Sequence, residues 1–190
     1  MSDFTLWLSL GWQHILDIQG YDHMMFLLAT FCGYSFYDWK KAAWAVSFFT
    51  LGHSLTLAYS AVSGPVLPSK WVEIGIAVTI FFAGIQWWLP PSFKRHSWII
   101  IFSIGLIHGL GFSTYLRSLF GHETSIVLPL FSFNLGLELG QLIFVLLILR
   151  LTTFLKKMQL LPTAEKHLQF SQIIGSLCAV WSLWLIFDRL

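Results

Sequence analysis

The chain has 190 residues, of which 56% are hydrophobic and 11% are charged, and its formal net charge at pH 7 is +2. A soluble domain carries about 25% charged residues, so this composition excludes an ordinary soluble protein and indicates an integral membrane protein. The small net charge and the lack of a basic run argue against nucleic acid as a partner.

The apolar pattern predicts one polytopic membrane domain over residues 1–190. Residues 4–18 are too short and too mixed in polarity to cross a bilayer, so they predict a short amphipathic helix at the interface. Later apolar stretches have the length of about 20 residues that spans a hydrocarbon core. We therefore predict an all-α protein with six transmembrane helices, at about 20–38, 42–63, 71–89, 98–119, 125–150 and 168–188.

The loops between these spans differ in basic charge. The first, third and fifth loops together hold eight lysine and arginine residues, and the other side holds three. Cytoplasmic loops carry the excess of lysine and arginine, so both termini are predicted to lie outside. The predicted location is the cytoplasmic (inner) membrane, crossed several times.

Six ionisable residues lie inside these apolar stretches, where an ionised side chain costs roughly 3 kcal/mol or more. The deepest lie twelve or thirteen residues from a basic residue at the inner end of their span. That separation is about 18 Å along a helix, just past the middle of a core about 30 Å thick. Imidazoles and carboxylates at this depth predict a metal-binding pocket that opens outward. The six residues are Asp22, His23, His53, Glu73, His108 and Glu138.

Two glycine pairs with GxxxG spacing bracket two of these residues. Gly105 and Gly109 flank His108, and residues 136 and 140 are glycines that flank Glu138. Small residues four apart let helices approach closely. We expect the fourth and fifth spans to pack together and to bring His108 near Glu138, with simple packing as the alternative.

Polar residues near these positions have supporting roles in the prediction. Asn134, Glu138 and Gln141 share one helical face, where they could orient a ligating histidine, bind a cation directly or only join helices. Asp22 and His23 point about 100° apart on a helix, so they do not both face one centre without help. His23 could be a ligand while Asp22 caps the helix or orients a neighbouring histidine, and the alternative is that both face lipid headgroups.

Two further residues lie at the outer end of the predicted pocket. Glu73 opens the third span, where a carboxylate suits either a helix N-terminus or the site. His14 lies on the interfacial helix and could close over the pocket mouth or be an ordinary interfacial residue. The predicted metal ligands are His23, His53, His108, Asp22 and Glu138, with Glu73, Asn134, Gln141 and His14 in support.

Five ordered segments give the chain a resemblance to a known family. GYDHMMFLL, FFTLGHSLTLA, WVEIGIA, GLIHGLGFS and FNLGLELGQL, between about residues 11 and 145, resemble the HupE/UreJ group of hydrogenase and urease accessory membrane proteins. Members of this group are regarded as candidate permeases for nickel or related divalent metals. The motif positions fall on Asp22, His23, His53, Glu73, His108, Asn134, Glu138 and Gln141.

Two functions follow as expectations, beside a third option, a membrane scaffold or assembly factor whose polar residues only hold helices together. The favoured one is transport of a divalent transition metal, with nickel first and cobalt or zinc as alternatives. The other is a zinc-dependent intramembrane hydrolase acting on a lipid or lipidated substrate, for which three histidines would hold the zinc and Asp22 or Glu138 would act as base. The expected partners are membrane lipid, the metal ion, and a homodimer or a metallochaperone.

Overall fold

The computed structural model describes residues 3–17, 20–64, 66–90, 98–120 and 126–190, with backbone only over 113–120. Within these ranges the chain is helical and contains no strand, which confirms the all-α prediction for this part of the chain. Short 3₁₀ turns at Phe36–Asp38 and Gln86–Trp88 extend two of the helices. The helices are α1 Asp3–Leu16, α2 Asp22–Phe31, α3 Trp39–Ser63, α4 Ser69–Ile85, α5 Trp98–Phe120, α6 Val127–Lys157 and α7 Ala164–Arg189.

Four of the described helical segments are long and apolar enough to cross a membrane. A membrane core offers no water to the backbone, and a continuous helix satisfies its own peptide groups there. Trp98–Phe112, in α5, is a shorter apolar helix. The four spanning segments are Phe36–Ser63, Ser69–Trp88, Val127–Lys157 and Ala164–Arg189.

The first predicted span, residues 20–38, is not one continuous helix. Its α-helical part, α2, has ten residues and is therefore about 15 Å long, half the thickness of a hydrocarbon core. The apolar run reflects burial against other helices, since Leu27, Ala29 and Phe31 are at most 2% exposed. A capping box between Ser35 and Asp38 then starts the following 3₁₀ turn.

Helix α1 also differs from the isolated interfacial helix that the sequence predicts. It packs along the first half of α6, and Trp7, Gly11 and Ile15 are buried. A Cβ atom on Gly11 would collide with the carbonyl group of Phe133, and one on Gly136 would collide with that of Leu8. The two helices therefore touch backbone to backbone. They run in the same direction, since Gly136 lies on Leu8 and Gly140, further along α6, lies on Ile15, further along α1.

Together α1 and α2 form an interrupted rod along α6. After α2, the backbone carbonyl of Tyr34 accepts a hydrogen bond from Thr152, and the amide of Phe36 donates to Thr153, 2.8 Å away. These contacts continue the parallel alignment that α1 begins beside Gly136. Helix α1 ends at Leu16 and α2 begins at Asp22, and Gly20 and Asp22 line a cavity.

The remaining helices pair through glycines, in a pattern that corrects the sequence-based prediction. The α5 face at Gly105 lies on Phe49 of α3, and Gly109 lies on His53 of the same helix. The Gly136–Gly140 face of α6 carries α1, so the predicted close packing of the fourth span on the fifth is wrong. GxxxG specifies a close approach but does not specify the partner.

We predict that Gly105→Ala lowers the free energy of unfolding by about 2 kcal/mol, because the new methyl group would meet the Phe49 carbonyl. The measurement is thermal or denaturant unfolding in detergent. Gly75→Ala is the matched control, since its Cβ would meet only the Ile107 side chain, at 3.3 Å. Equal stability of the two variants would contradict the close α3–α5 contact.

Candidate metal centre

Four histidines from four helices converge in the interior. His14 lies on α1, His23 on α2, His53 on α3 and His108 on α5. Ring centroids lie 4.8 Å apart for His14 and His23, 5.1 Å for His23 and His108, 5.5 Å for His23 and His53, and 6.1 Å for His14 and His53. Among the described residues, one nitrogen from each of His14, His23 and His53 forms a group within 4.8 Å of one another.

Most of the ring nitrogens are buried and have no hydrogen-bond partner. His53 and His108 are 0% exposed and His23 is 5% exposed. Five ring nitrogens have no hydrogen-bond partner: Nε2 of His14, Nε2 of His23, both nitrogens of His53 and Nδ1 of His108. A buried polar group without a partner costs about 1–3 kcal/mol. A metal ion that takes the lone pairs would remove much of that cost.

The spacing fits a metal centre after small ring rotations. Metal–imidazole bonds of about 2.1 Å place tetrahedral ligand nitrogens roughly 3.4 Å apart. The limit of 4.8 Å among His14, His23 and His53 is wider than this by little more than 1 Å. The donor set is three or four neutral imidazoles, which suits nickel, cobalt, zinc and copper better than magnesium or calcium.

The hydroxyl of Thr79 contacts both a backbone carbonyl and His108. Thr79 Oγ1 lies 2.7 Å from the carbonyl of Ile76 and 2.9 Å from His108 Nε2. When its hydrogen is donated to the Ile76 carbonyl, Thr79 can accept from the ring N–H, in the tautomer that leaves the lone pair on Nδ1 of His108. Ligating histidines are commonly oriented in this way through their other nitrogen. Nothing in the sequence marked this threonine within an apolar run.

Aromatic side chains close one end of the histidine cluster. Phe26 and Phe49 stack with a centroid separation of 5.1 Å, and each lies within 5.3 Å of the His108 ring. Their exposed fractions are 3% and 1%. We call this pair the aromatic floor, and it separates the histidines from the end of α3 that carries Lys40 and Lys41.

On the other side a cavity of about 270 Å³ leads away from the histidines. His14, His23 and His108 line it, together with an ion-pair group formed by Asp22, Glu73 and Arg189. We call this space the histidine cavity. Its carboxylates and imidazoles can contact a small cation, while Ile76 and Phe112 form an apolar part of its wall.

Arg189, near the end of α7, holds the two carboxylates of the histidine cavity. Its guanidinium lies 3.6 Å from Asp22 and 3.5 Å from Glu73, and it donates to the Glu73 carbonyl at 2.9 Å. Asp22, predicted as a ligand, therefore faces this arginine while the adjacent His23 faces the centre, as the 100° between helical neighbours requires. The sequence pattern gives Arg189 no role beyond a basic charge after the last predicted span.

The structure does not bring Glu138 into the histidine cluster. Glu138 accepts a hydrogen bond from Ser47 of α3 at 2.6 Å, and Gln141 accepts one from Thr50 at 2.8 Å. Asn134 lines the same cavity as Glu138, which is separate from the histidine cavity. Ser47 and His53 point about 120° apart around α3, because each residue turns the helix by about 100°. The expected pairing of His108 with Glu138 is therefore wrong.

Comparison with known proteins identifies the family. The sequence model of the family described as HupE / UreJ protein matches residues 1–186 of the chain, and the chain belongs to that family. No curated protein and no solved structure matches it. The match confirms the resemblance read from five motifs and extends it over α1 and most of α7.

We predict that His14→Ala weakens the binding of Ni²⁺ or Zn²⁺ as strongly as His53→Ala does. Losing a residue that only orients a ligand costs roughly 10–100-fold in affinity, so losing a direct ligand should cost at least about 100-fold. Isothermal titration of the purified protein in detergent measures this. His167→Ala is the control, because His167 lies on α7 outside the histidine cavity. Unchanged affinity in His14→Ala would remove this histidine from the centre.

Proposed function

We propose that this HupE/UreJ family protein binds a divalent transition metal ion at His14, His23, His53 and His108 and carries it across the cytoplasmic membrane. Nickel is the favoured ion. The observation that carries the proposal is the convergence of unpaired imidazole nitrogens at the base of a polar cavity. Membership of the family implies a nickel or cobalt accessory or transport role, and this agrees with the chemistry of the donor set.

The charges along the histidine cavity support the capture of a cation. Asp22 and Glu73 supply two negative charges against the single positive charge of Arg189. One oxygen of Asp22, Oδ1, is buried and unpaired. A cavity with an excess of one sign raises the local concentration of the opposite ion. A metal ion would therefore meet the carboxylates first and the histidines second.

Neutral ligands support release as well as binding. Four imidazoles leave the two positive charges of the metal uncompensated in a medium of low dielectric constant. The nearest carboxylates of the histidine cavity are already paired with Arg189. Such a centre holds a divalent ion less tightly than one with thiolate or carboxylate ligands, and a permeation site must let its ion leave.

The histidine cavity is proposed to open to the outside, as the distribution of basic residues predicts. Cysteine labelling in intact cells tests this, and the background is low because Cys32 and Cys178 are buried. We expect Lys70→Cys to react with an impermeant thiol reagent from outside and Lys156→Cys to react only after permeabilisation. The opposite pattern would place the cavity on the cytoplasmic side.

Transport requires the aromatic floor to part, which gives a test of function. In proteoliposomes that contain a nickel-responsive dye, we expect the wild-type protein to admit Ni²⁺ and His53→Ala to match protein-free liposomes. Phe26→Ala should raise the rate several-fold without weakening Ni²⁺ binding, because the barrier beyond the histidines is then smaller. If the wild-type protein binds Ni²⁺ and none of these samples admits it, the transport proposal is wrong.

The closed floor also favours a second candidate, a zinc-dependent intramembrane hydrolase. A zinc ion held by three histidines with a water in the fourth position could activate that water for attack on a lipid or lipidated substrate. In this case Phe26 and Phe49 would simply shield the centre from the inner side. The purified protein should then retain about one zinc ion per chain after brief chelation, whereas a transporter should lose its metal.

A further inference from the structure

A second cavity, with both polar and apolar residues in its wall, lies between α3 and α6. Its volume is about 220 Å³, and it opens at the surface of the chain beside the exposed side chains of Leu51 and Phe131. None of the four histidines lines it. Its polar wall consists of Ser47, Thr50, Ser54, Asn134 and Glu138, and we call it the Glu138 cavity.

The hydroxyl groups of α3 direct their hydrogens to fixed acceptors. Ser47 donates to Glu138 Oε1 at 2.6 Å, and Ser54 donates to the Thr50 carbonyl at 2.7 Å. Thr50 has the Val46 carbonyl and Gln141 Oε1 as acceptors, at 3.0 and 2.8 Å. The lone pairs of these oxygens are therefore available to the cavity while their hydrogens are not.

Asn134 adds an acceptor that has no donor. Its amide nitrogen donates to the Leu130 carbonyl at 2.8 Å, while its Oδ1 is buried and without a hydrogen-bond partner. Glu138 lies four residues further along α6, on the same face and one turn away. A proton on Glu138, or a cation between the two side chains, would satisfy Asn134 Oδ1 and cancel the carboxylate charge together.

No positively charged side chain of the described residues lines the cavity beside Glu138. Glu138 is the one titratable group among the described residues that line the cavity, and no described lysine or arginine lines it. An ionised carboxylate at such a depth costs roughly 3 kcal/mol or more. Helices α1, α2 and α3 also carry the titratable residues His14, Asp22, His23 and His53. These residues belong to the metal centre and its cavity, and none of them lines the Glu138 cavity.

We propose that Glu138 and Asn134, with the hydroxyls of Ser47, Thr50 and Ser54, bind one small hard monovalent cation, a proton or Na⁺. One carboxylate balances the charge of one monovalent cation. Oxygen ligands select hard ions, whereas the imidazoles of the metal centre select softer ones. Binding here does not depend on the proposed transport; if that transport holds, this cation is the coupling ion.

Infrared difference spectroscopy of the full-length protein in lipid nanodiscs tests the proposal. In Na⁺-free buffer at neutral pH we expect an absorption band of a protonated carboxylic acid that is lost in Glu138→Gln. Glu165→Gln is the control, since Glu165 is exposed in the first turn of α7, and it should keep the band. If Glu138→Gln does not fold, Ser47→Ala serves instead, and it should move the band to higher wavenumber because one hydrogen bond to Glu138 is lost.

Two titrations separate the two ions. A band that decreases only when the pH is raised identifies a proton site. A band that also decreases when Na⁺ is added at constant pH, with a change in the carboxylate bands that Glu138→Gln removes, identifies exchange of the proton for Na⁺. No acid band and no Na⁺-induced change would overturn the proposal. An acid band that resists both high pH and Na⁺ would also overturn it, since Glu138 would then be a permanent neutral hydrogen-bonding group.

Nickel titration of the same samples keeps this inference distinct from the proposed function. We expect Glu138→Gln to bind Ni²⁺ with wild-type affinity, because Glu138 does not belong to the histidine cluster. Loss of Ni²⁺ binding in this variant would make Glu138 part of the metal centre and overturn the separate site. Loss of Ni²⁺ binding only in the histidine variants would support a Glu138 site that is separate from the metal centre.

Discussion

Direct contact of helix backbones at glycines is the constraint on which the metal centre depends. Gly52 and Gly109 join α3 to α5, and each is next to a converging histidine, His53 or His108. Gly11 joins α1 to α6 one turn before His14. A Cβ atom at Gly52 or Gly109 would force α3 and α5 apart and widen the spacing of His53 and His108, and one at Gly11 would displace His14 together with α1. The glycines thus fix the ligand geometry without contributing a single ligand atom.

Two kinds of polar chemistry are kept apart inside the same bundle. The metal centre is made of neutral nitrogen donors, and its carboxylates lie at the cavity wall, where Arg189 holds them. The Glu138 cavity is made of oxygen acceptors around one carboxylate. Combining the two sets would have given a tighter and less reversible metal site, since a carboxylate ligand would neutralise part of the charge of the ion. In the proposed function, their separation would favour exchange of the ion over its permanent retention.

Much of the fold and part of the site could be predicted from the sequence, because an ionisable residue stands out in an apolar run. The helical class, most of the long spans and three of the four converging histidines follow from that contrast. The sequence gives His14 only a supporting role because α1 is too short to span a membrane alone. The packing of α1 on α6 depends on the tertiary structure and has no signal in the local sequence. The sequence predicts Glu138 beside His108 because a GxxxG motif indicates a close helix contact but does not indicate which helix makes it. Thr79 carried no signal, since one hydroxyl in an apolar helix is usually bonded to its own backbone.

Helix α3 connects every part of the proposed mechanism. Within seven residues it supplies Ser47 to the Glu138 cavity, Phe49 to the aromatic floor and His53 to the metal centre. A rigid helix cannot move one of these side chains without moving the others. A displacement that withdraws Phe49 and opens the floor must also change the hydrogen bond from Ser47 to Glu138, and the charge on Glu138 must in turn bias the position of α3. Coupling between the two cations would then need no relay of side chains across the bundle, only one helix with two positions.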